Sequence, residues 1–235
     1  MRAIFYRELG AYFTSPIGYI YLAVFSMFAG LYFFGTTLVV NTTDLRGVFA
    51  SIYVLIMFLI PVLTMRLISE DFRLRTDRLL LTVPIRLSAL ILGKFFAVLA
   101  VYALGTSITL VYAVVLSIYA PIDWALVLWH YAGLIFAGSA IIAIGMFISS
   151  LTESQIIAAI GGFSAATILI LLDVFANVIP VPFVRQILIG LSFSVYYSDF
   201  TLGILNPAGI VFFLSVSAIF LFFTRQTLDR KRWKK

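Results

Sequence analysis

Few residues of this chain could catalyse a reaction, because it has one histidine, His130, and no cysteine. His130 and Ser139 could in principle act as the base and nucleophile of a membrane serine protease. Both fall on one predicted helix, nine positions apart, which separates them by about 13 Å along the helix axis. A base must contact the nucleophile that it activates, so this pairing is excluded. His130 lies beside Trp129 and Tyr131, which favours an anchor at the membrane interface.

Gly93-Lys94 resembles the end of a phosphate-binding loop, in which backbone amides and a lysine hold the phosphates of a nucleotide. The motif is incomplete, because Ser88 stands where its first glycine belongs and Phe95 replaces the hydroxyl residue. One histidine and no cysteine also exclude multi-histidine and thiolate metal sites. We therefore expect no catalytic residue and no cofactor bound by this chain.

Asp173 is an acid near the outer end of the fifth predicted membrane helix, four residues before Asn177. A carboxylate inside a membrane is costly and marks a functional site by default. Two interpretations remain open for Asp173. It belongs to a translocation path or its gate, or it is an interfacial acid that water satisfies.

The segment from residue 66 to residue 94 concentrates charged side chains between two apolar runs. Leu67, Leu74 and Leu81 recur at seven-residue intervals, which predicts an amphipathic helix over residues 66–83. Pro84 disfavours a helical conformation at the residue before it, so the helix is expected to end there. A basic helix of this kind lies on anionic headgroups or docks on a cytoplasmic partner. The helix also contains Glu70, Asp71 and Asp77, acidic residues that attraction to anionic lipid would not favour. On physical grounds the two interpretations are equally supported.

The composition of the chain indicates whether water or lipid surrounds its helices. Hydrophobic residues make up 63% of the 235 residues and charged residues 11%, against about 25% charged residues in an ordinary soluble domain. A chain of this size cannot hide so much apolar surface in its own core. The chain is therefore predicted to be a membrane protein.

Apolar runs long enough to cross a bilayer, about 20 residues each, occur six times. They lie at residues 17–40, 48–65, 88–118, 125–150, 155–177 and 207–224. Helices are expected because an open sheet would leave backbone groups unpaired in lipid. The first run is too long for the apolar core of a signal peptide and lacks a cleavage site of small residues. We therefore expect one all-α membrane domain over residues 1–235.

Basic residues divide unequally between the two sides of this predicted bundle. Fourteen of the 16 Lys and Arg residues fall within residues 1–16, residues 66–94 and the C-terminal tail, against Arg46 and Arg185 on the other side. The positive-inside rule then places both termini in the cytoplasm. The same rule accounts for the net charge of +6, so the charge does not require nucleic acid as a partner. Residues 178–206 are then external, and they are too apolar for a free loop, so we expect them at the interface or within the membrane.

Short motifs in three parts of the chain occur together in one family. At the N-terminus, Arg7-Glu8-Leu9 precedes Tyr12-Phe13-Thr14-Ser15-Pro16-Ile17-Gly18-Tyr19. Further along stand Glu70-Asp71, Thr76, Leu79-Leu80-Leu81, Thr82-Val83-Pro84, Gly93-Lys94 and the tail Asp229-Arg230-Lys231-Arg232-Trp233. Together these motifs resemble type-2 ABC transporter permeases, in particular the gliding-motility branch. Arg75 and Arg78 depart from the pattern, where the family has a small residue and an acid.

The resemblance implies a permease subunit of an ATP-driven exporter in a bacterial or archaeal plasma membrane. It implies a dimer with a second copy or a close homologue. It further implies two separate ABC ATPase subunits, which bind ATP and Mg. An accessory membrane subunit is another candidate partner. The resemblance also implies three further elements. Residues 1–15 would form an elbow helix at the interface, and residues 66–83 a cytoplasmic coupling helix. Residues 178–206 would form an external re-entrant segment that caps the translocation path.

The resemblance also implies which residues meet the ATPase. The coupling residues on the predicted helix are Glu70, Asp71, Arg73, Thr76 and Asp77. A second contact is Glu153, in the short turn over residues 150–154.

A self-contained channel or secondary carrier is the alternative function. It would be expected to place charges or broken helices near the middle of the membrane, a condition that Asp173 alone approaches.

Overall fold

The structure, a computed structural model, describes residues 1–74, 87–178, 181–204 and 206–233. Within these ranges the chain forms helices and no strand. In chain order the helices are α1 (Arg2–Thr14), α2 (Pro16–Phe33), α3 (Arg46–Thr64), α4 (Ser69–Arg73), α5 (Leu87–Tyr119), α6 (Trp124–Leu151), α7 (Gln155–Val178), α8 (Pro182–Leu191), α9 (Phe193–Thr201) and α10 (Pro207–Trp233). A π-helical turn, Phe34–Leu38, extends α2.

Six helical stretches of the described chain are long and apolar enough to cross a membrane. They are Pro16–Leu38, Arg46–Arg73, Leu87–Tyr119, Trp124–Leu151, Gln155–Ala176 and Pro207–Lys231. Each corresponds to one predicted span, so the prediction of an all-helical chain with six helices able to span a membrane is confirmed. This architecture supports a multi-pass membrane protein. The last helix runs beyond the predicted residue 224 because no glycine or proline interrupts the basic tail.

Local sequence signals determine where the helices begin. Ser15 is extended between α1 and α2, and Pro16 occupies the first position of α2, where its fixed φ and missing N–H are well tolerated. The Asp123 carboxylate caps α6 by accepting the backbone N–H groups of Ala125 at 2.9 Å and Leu126 at 3.3 Å. The chain therefore changes direction just before each of these two membrane helices.

Helix α6 forms the centre of the bundle and packs against α3, α5, α7, α9 and α10. Of its most apolar window, 72% is buried within the protein, compared with 17% for α7 and 22% for α10. Gly138 permits this close packing, since a Cβ there would lie 2.3 Å from the ring of Tyr102. Most of the surface of α7 and α10 therefore lies on the outside of the bundle.

The predicted helix over residues 66–83 is interrupted in the part that the structure describes. Residues 65–68 form a turn, and helix resumes only at Ser69 to form α4. The turn exists because the backbone N–H groups of Ile68 and Ser69 both donate to the Ser149 hydroxyl at 3.1 Å. Residues 75–83 of the prediction lie outside the described residues.

The predicted external segment contains two short helices, α8 and α9, that meet at Ser192. Helix α8 packs along α7 and buries none of its side chains. Helix α9 packs into the bundle against α3, α6, α7 and α10. The turn between α6 and α7 occupies residues 152–154, within the predicted 150–154.

Candidate functional site

The end of the bundle that carries α1, α4, the start of α5 and the end of α10, here called the basic end, contains a buried ionic cluster. Lys94, on α5, has a side chain only 3% exposed. Its Nζ lies 3.0 Å from Glu8 Oε1 on α1 and 2.9 Å from Asp71 Oδ2 on α4. A buried ammonium requires such counter-charges because its desolvation is otherwise too costly. This lysine cluster, Lys94 with Glu8 and Asp71, therefore joins three helices through one nitrogen atom.

Glu8 is ionised within this cluster. Burial alone would raise its pKa, but the neighbouring Lys94 and then Arg7 outweigh burial and hold the pKa of Glu8 below its ordinary value. Arg7 Nη2 donates to Glu8 Oε1 at 2.6 Å. With Arg7 beside the lysine cluster, two acidic and two basic side chains meet here.

The approach of α1 to α5 depends on Gly93. A Cβ at this position would lie 2.9 Å from the Ile4 side chain on α1. Any larger residue would push α1 away from the helix that carries Lys94. Gly93-Lys94 therefore provides both the space for α1 and the charge that holds it.

A second polar contact fixes α1 to the turn before α4. Arg66 Nε lies 2.9 Å from Glu70 Oε2, and Arg66 Nη1 donates to Ser15 Oγ at 2.7 Å. The same guanidinium lies over the Tyr12 ring, 5.3 Å from its centroid. Tyr12 donates its hydroxyl to the Leu63 carbonyl at 2.6 Å, and burial raises the pKa of Tyr12, which keeps the hydroxyl a neutral donor.

The C-terminal helix also contacts α4. Lys231 Nζ lies 3.8 Å from the centroid of the Phe72 ring and donates to the Ser150 carbonyl at 3.1 Å. Asp71 and Phe72 are neighbours on α4, so one lysine from α5 and one from α10 hold this short helix. The end of α6, which carries Ser150, belongs to the same assembly.

The structure divides the residues that were predicted to meet an ATPase into two groups. Glu70 and Asp71 have ion-pair partners within the chain, Arg66 and Lys94. Two others, Arg73 and Glu153, are exposed at the basic end. Thr76 and Asp77 lie outside the described residues. The pairing of Lys94 was not predicted, although a lysine after glycine in an otherwise apolar helix was a signal for it.

Asp173 lies at the opposite end of the bundle, where it is half-buried on α7. Its carboxylate accepts a hydrogen bond from the Ser192 hydroxyl, at the junction of α8 and α9. Asp173 is therefore anchored to the external segment of the prediction, and its role in a gate stays a prediction.

His130 also lies at the opposite end, but its predicted role as an interfacial anchor is wrong. The residue is 1% exposed, its Nε2 lies 2.9 Å from the Thr201 carbonyl oxygen, and its ring packs on Phe49. The aromatic neighbours of His130 in the sequence suggested a position at the membrane interface. Sequence neighbours do not show which face of α6 the other helices cover. Ser139 donates to the Phe136 carbonyl at 2.7 Å and contacts the Ser217 hydroxyl. The hydrogen-bond partners of Ser139 are therefore residues other than His130.

Among the residues that the structure describes, no group of three or more His, Asp and Glu side chains could hold a metal ion. The contacts described at the basic end are ion pairs, hydrogen bonds and cation–π contacts. Its arrangement can transmit a displacement, because one buried nitrogen connects α1, α4 and α5.

Three stretches of the permease resemblance meet at the lysine cluster. Arg7-Glu8, Glu70-Asp71 and Gly93-Lys94 are far apart in sequence, yet each contributes a charged side chain within ion-pair distance of another. No protein-family model matches the chain, and no curated protein matches it.

Proposed function

We propose that this chain is the membrane-spanning permease subunit of an ATP-driven ABC exporter, working as a dimer with separate ATPase subunits. The observation that carries the proposal is the lysine cluster, in which Lys94 joins α1, α4 and α5 at the basic end. These are the helices that the resemblance assigns to the elbow, the coupling segment and the third span. Six apolar helices and the charge asymmetry support a plasma-membrane location with both termini in the cytoplasm.

The lysine cluster gives the proposed permease a path for mechanical coupling. ATP and Mg bind to the partner subunits and supply the work of their closure. The exposed Arg73 and Glu153 meet the ATPase, together with Thr76 and Asp77 on the coupling segment. A displacement of α4 then pulls on Lys94 through Asp71, and on α1 through Glu8, since breaking either buried ion pair is costly. Glu70 and Asp71 therefore act as positioning residues, which fix α4 relative to the membrane helices.

A self-contained channel or carrier receives less support from the described residues. Lys94 lies about two turns from the start of α5, and Asp173 lies near the end of α7. Neither forms a charged site in the middle of the bundle, where the alternating-access sites of carriers lie.

The proposal is tested by purifying the tagged chain from its native membrane in mild detergent and identifying its partners by mass spectrometry. We expect an ATPase subunit with a phosphate-binding loop and an ABC signature, in a ratio of one to one with the permease. Replacing the exposed Arg73 and Glu153 together with alanine should lower the recovery of the ATPase, because both lie at the expected contact. Asp229→Asn is the matched control, since its ion pair with Arg225 is exposed. Recovery of the chain without any ATPase would refute the proposal.

A further inference from the structure

A groove runs between the last turns of α6 and α10 at the basic end, and it is called here the α6–α10 groove. Three apolar and three polar side chains line it: Phe147, Leu151, Phe223, Gln226, Thr227 and Arg230. The space within it is about 610 Å³, part of which is open to the surroundings. Sites for small ligands occupy roughly 300–1,000 Å³, so the groove has the size of a ligand site.

The apolar side chains of the groove leave hydrocarbon surface on the outside of the bundle. Phe147 on α6 and Phe223 on α10 contact each other, with ring centroids 5.9 Å apart. Phe223 is nevertheless 41% exposed, and Leu151 is 56% exposed. Contact with a hydrocarbon chain would remove this surface from water. This part of the groove therefore suits an apolar ligand.

The polar side chains of the groove all belong to α10. Gln226 and Arg230 are four residues apart and Thr227 and Arg230 three, so all three lie on one helix face. Thr227 donates its hydroxyl to the Phe223 carbonyl at 2.9 Å, which leaves its oxygen as an acceptor. Gln226 and Arg230 carry N–H donors. The fork of donors on a guanidinium matches two oxygens of a phosphate, so this face suits an anionic phosphate group.

The cations next to Arg230 on α10 have other contacts. Arg225 Nε lies 3.7 Å from Asp229 Oδ2, one helical turn away. Lys231 donates to the Ser150 carbonyl and lies on the Phe72 ring. Of these three cations, Arg230 is the one that lines the groove, and it has no ion-pair partner among the residues that the structure describes.

The groove lies at the depth where a phospholipid carries its phosphate. Residues 207–224 of α10 contain no charged side chain, and at 1.5 Å per residue they cover about 27 Å, close to the hydrocarbon thickness of about 30 Å. Arg225 is the first charged residue after them. In a helix that spans the membrane, Phe223 then lies beside the acyl chains, while Gln226 and Arg230 lie among the headgroups.

We propose that the α6–α10 groove binds one anionic phospholipid from the leaflet at the basic end. Arg230 and Gln226 donate to its phosphate, and one acyl chain lies against Phe147, Leu151 and Phe223. The charge of the ligand complements Arg230, as in other basic pockets between membrane helices. The bound lipid bridges the ends of α6 and α10. This inference goes beyond the proposed function and requires no ATPase, because the whole site lies within the chain.

Native mass spectrometry of the purified full-length chain, titrated with phosphatidylglycerol or phosphatidylcholine, tests the site. Phosphatidylglycerol is anionic, whereas the choline cation neutralises phosphatidylcholine. The wild type should bind phosphatidylglycerol about tenfold more tightly, because choline competes with Arg230 for the phosphate charge. Arg230→Gln should reduce this preference to near unity. Arg225→Gln is the matched control, since it removes the same charge one turn away outside the groove, and it should keep the preference.

The apolar part of the groove is tested by Leu151→Ser. Leu151 is exposed, so the change should leave the fold intact. The variant should bind both lipids more weakly by a similar factor, because the acyl chain loses a contact that does not depend on the headgroup. Its preference for phosphatidylglycerol should therefore equal that of the wild type.

Several results would overturn the inference. Equal affinity of the wild type for the two lipids would exclude an anionic site. Equal effects of Arg230→Gln and Arg225→Gln would show only a general attraction of the basic tail. Displacement of the lipid by millimolar inorganic phosphate would indicate an anion site without an acyl chain. Loss of the lipid on dimerisation or on addition of an ATPase subunit would show that protein covers the groove. Lipid preference of the isolated chain and recovery of an ATPase are separate measurements, so either proposal can fail alone.

Discussion

Lys94 Nζ lies 2.9 Å from Asp71 Oδ2, although the two residues belong to different helices and the lysine is buried in an apolar helix. The ion pair fixes α4 to α5, and Glu8 extends the connection to α1. A partner that moves α4 must therefore also move a membrane helix. This is the property that a coupling element requires.

Replacing Lys94 with methionine should destabilise the protein more than removing all the charges of the cluster. The single change removes the buried cation that Glu8 and Asp71 share, although Glu8 keeps its ion pair with Arg7. Loss of one partner of a fully buried pair costs about 3–5 kcal/mol, which is the upper value for these partly exposed carboxylates. The triple variant Lys94→Met, Glu8→Gln and Asp71→Asn should recover part of this loss. Thermal unfolding of the purified chain in detergent measures the order of stability. A single variant as stable as the wild type would contradict the role of the cluster.

Acid should weaken the attachment of α1. The folded pKa of Glu8 lies below its ordinary value, which for glutamate is about 4.3. Its stabilisation is therefore fully present above that ordinary value, and it is lost as the pH falls through the lower folded pKa. Unfolding free energy measured against pH should decline in this window for the wild type.

Glu8→Gln provides the control for the acid effect. This variant should be less stable at neutral pH by about 1.5–3 kcal/mol, the contribution of a hydrogen bond to a charged group. It should also show a shallower decline in acid than the wild type does. Identical pH profiles for the two proteins would show that Glu8 does not titrate with folding.

Neutralising the carboxylates of α4 should disturb coupling. Glu70→Gln with Asp71→Asn removes the ion pairs to Arg66 and Lys94, so α4 loses its ionic connection to α5 and to the turn before it. We expect the complex to assemble less well, or to hydrolyse ATP without coupling the hydrolysis to transport. Recovery of the ATPase and the transport-coupled ATPase rate in the reconstituted complex measure these two outcomes.

Asp229→Asn is the control for this double variant, because its exposed pair with Arg225 contributes about 0–1 kcal/mol. The control should behave as the wild type. If the double variant matches it in both measurements, Glu70 and Asp71 have no part in coupling.

The charge asymmetry predicts the orientation of the chain. Reporter fusions after residues 44, 121 and 190 should show an external location, and fusions after residues 75, 152 and 230 a cytoplasmic one. A cytoplasmic signal from residue 190 would exclude the orientation proposed for α8 and α9.

The six apolar helices could be predicted because a span of about 20 apolar residues is a local property of the sequence. The interruption before α4 could not, since it depends on Ser149, some 80 positions away. That turn also explains why the leucine spacing failed as a guide to one helix face. Leu67 is buried in the turn and Leu74, beyond it, is 59% exposed.

The functional cluster was predictable only in its parts. The motifs around Glu8, Asp71 and Lys94 were visible in the sequence, but their meeting depends on how α1 folds back against α5. The burial of His130 depends in the same way on α9, which approaches from the far end of the chain.

ATP hydrolysis by reconstituted preparations tests the central claim most directly. The purified chain alone should hydrolyse no ATP, and its complex with the ATPase subunit should hydrolyse ATP in lipid vesicles. A variant of the ATPase phosphate-binding lysine should abolish that activity, while Lys94→Met in this chain should change it without removing the nucleotide site. Turnover by the chain in the proven absence of any other subunit would contradict the account, and so would a complex whose turnover ignores every change in the lysine cluster.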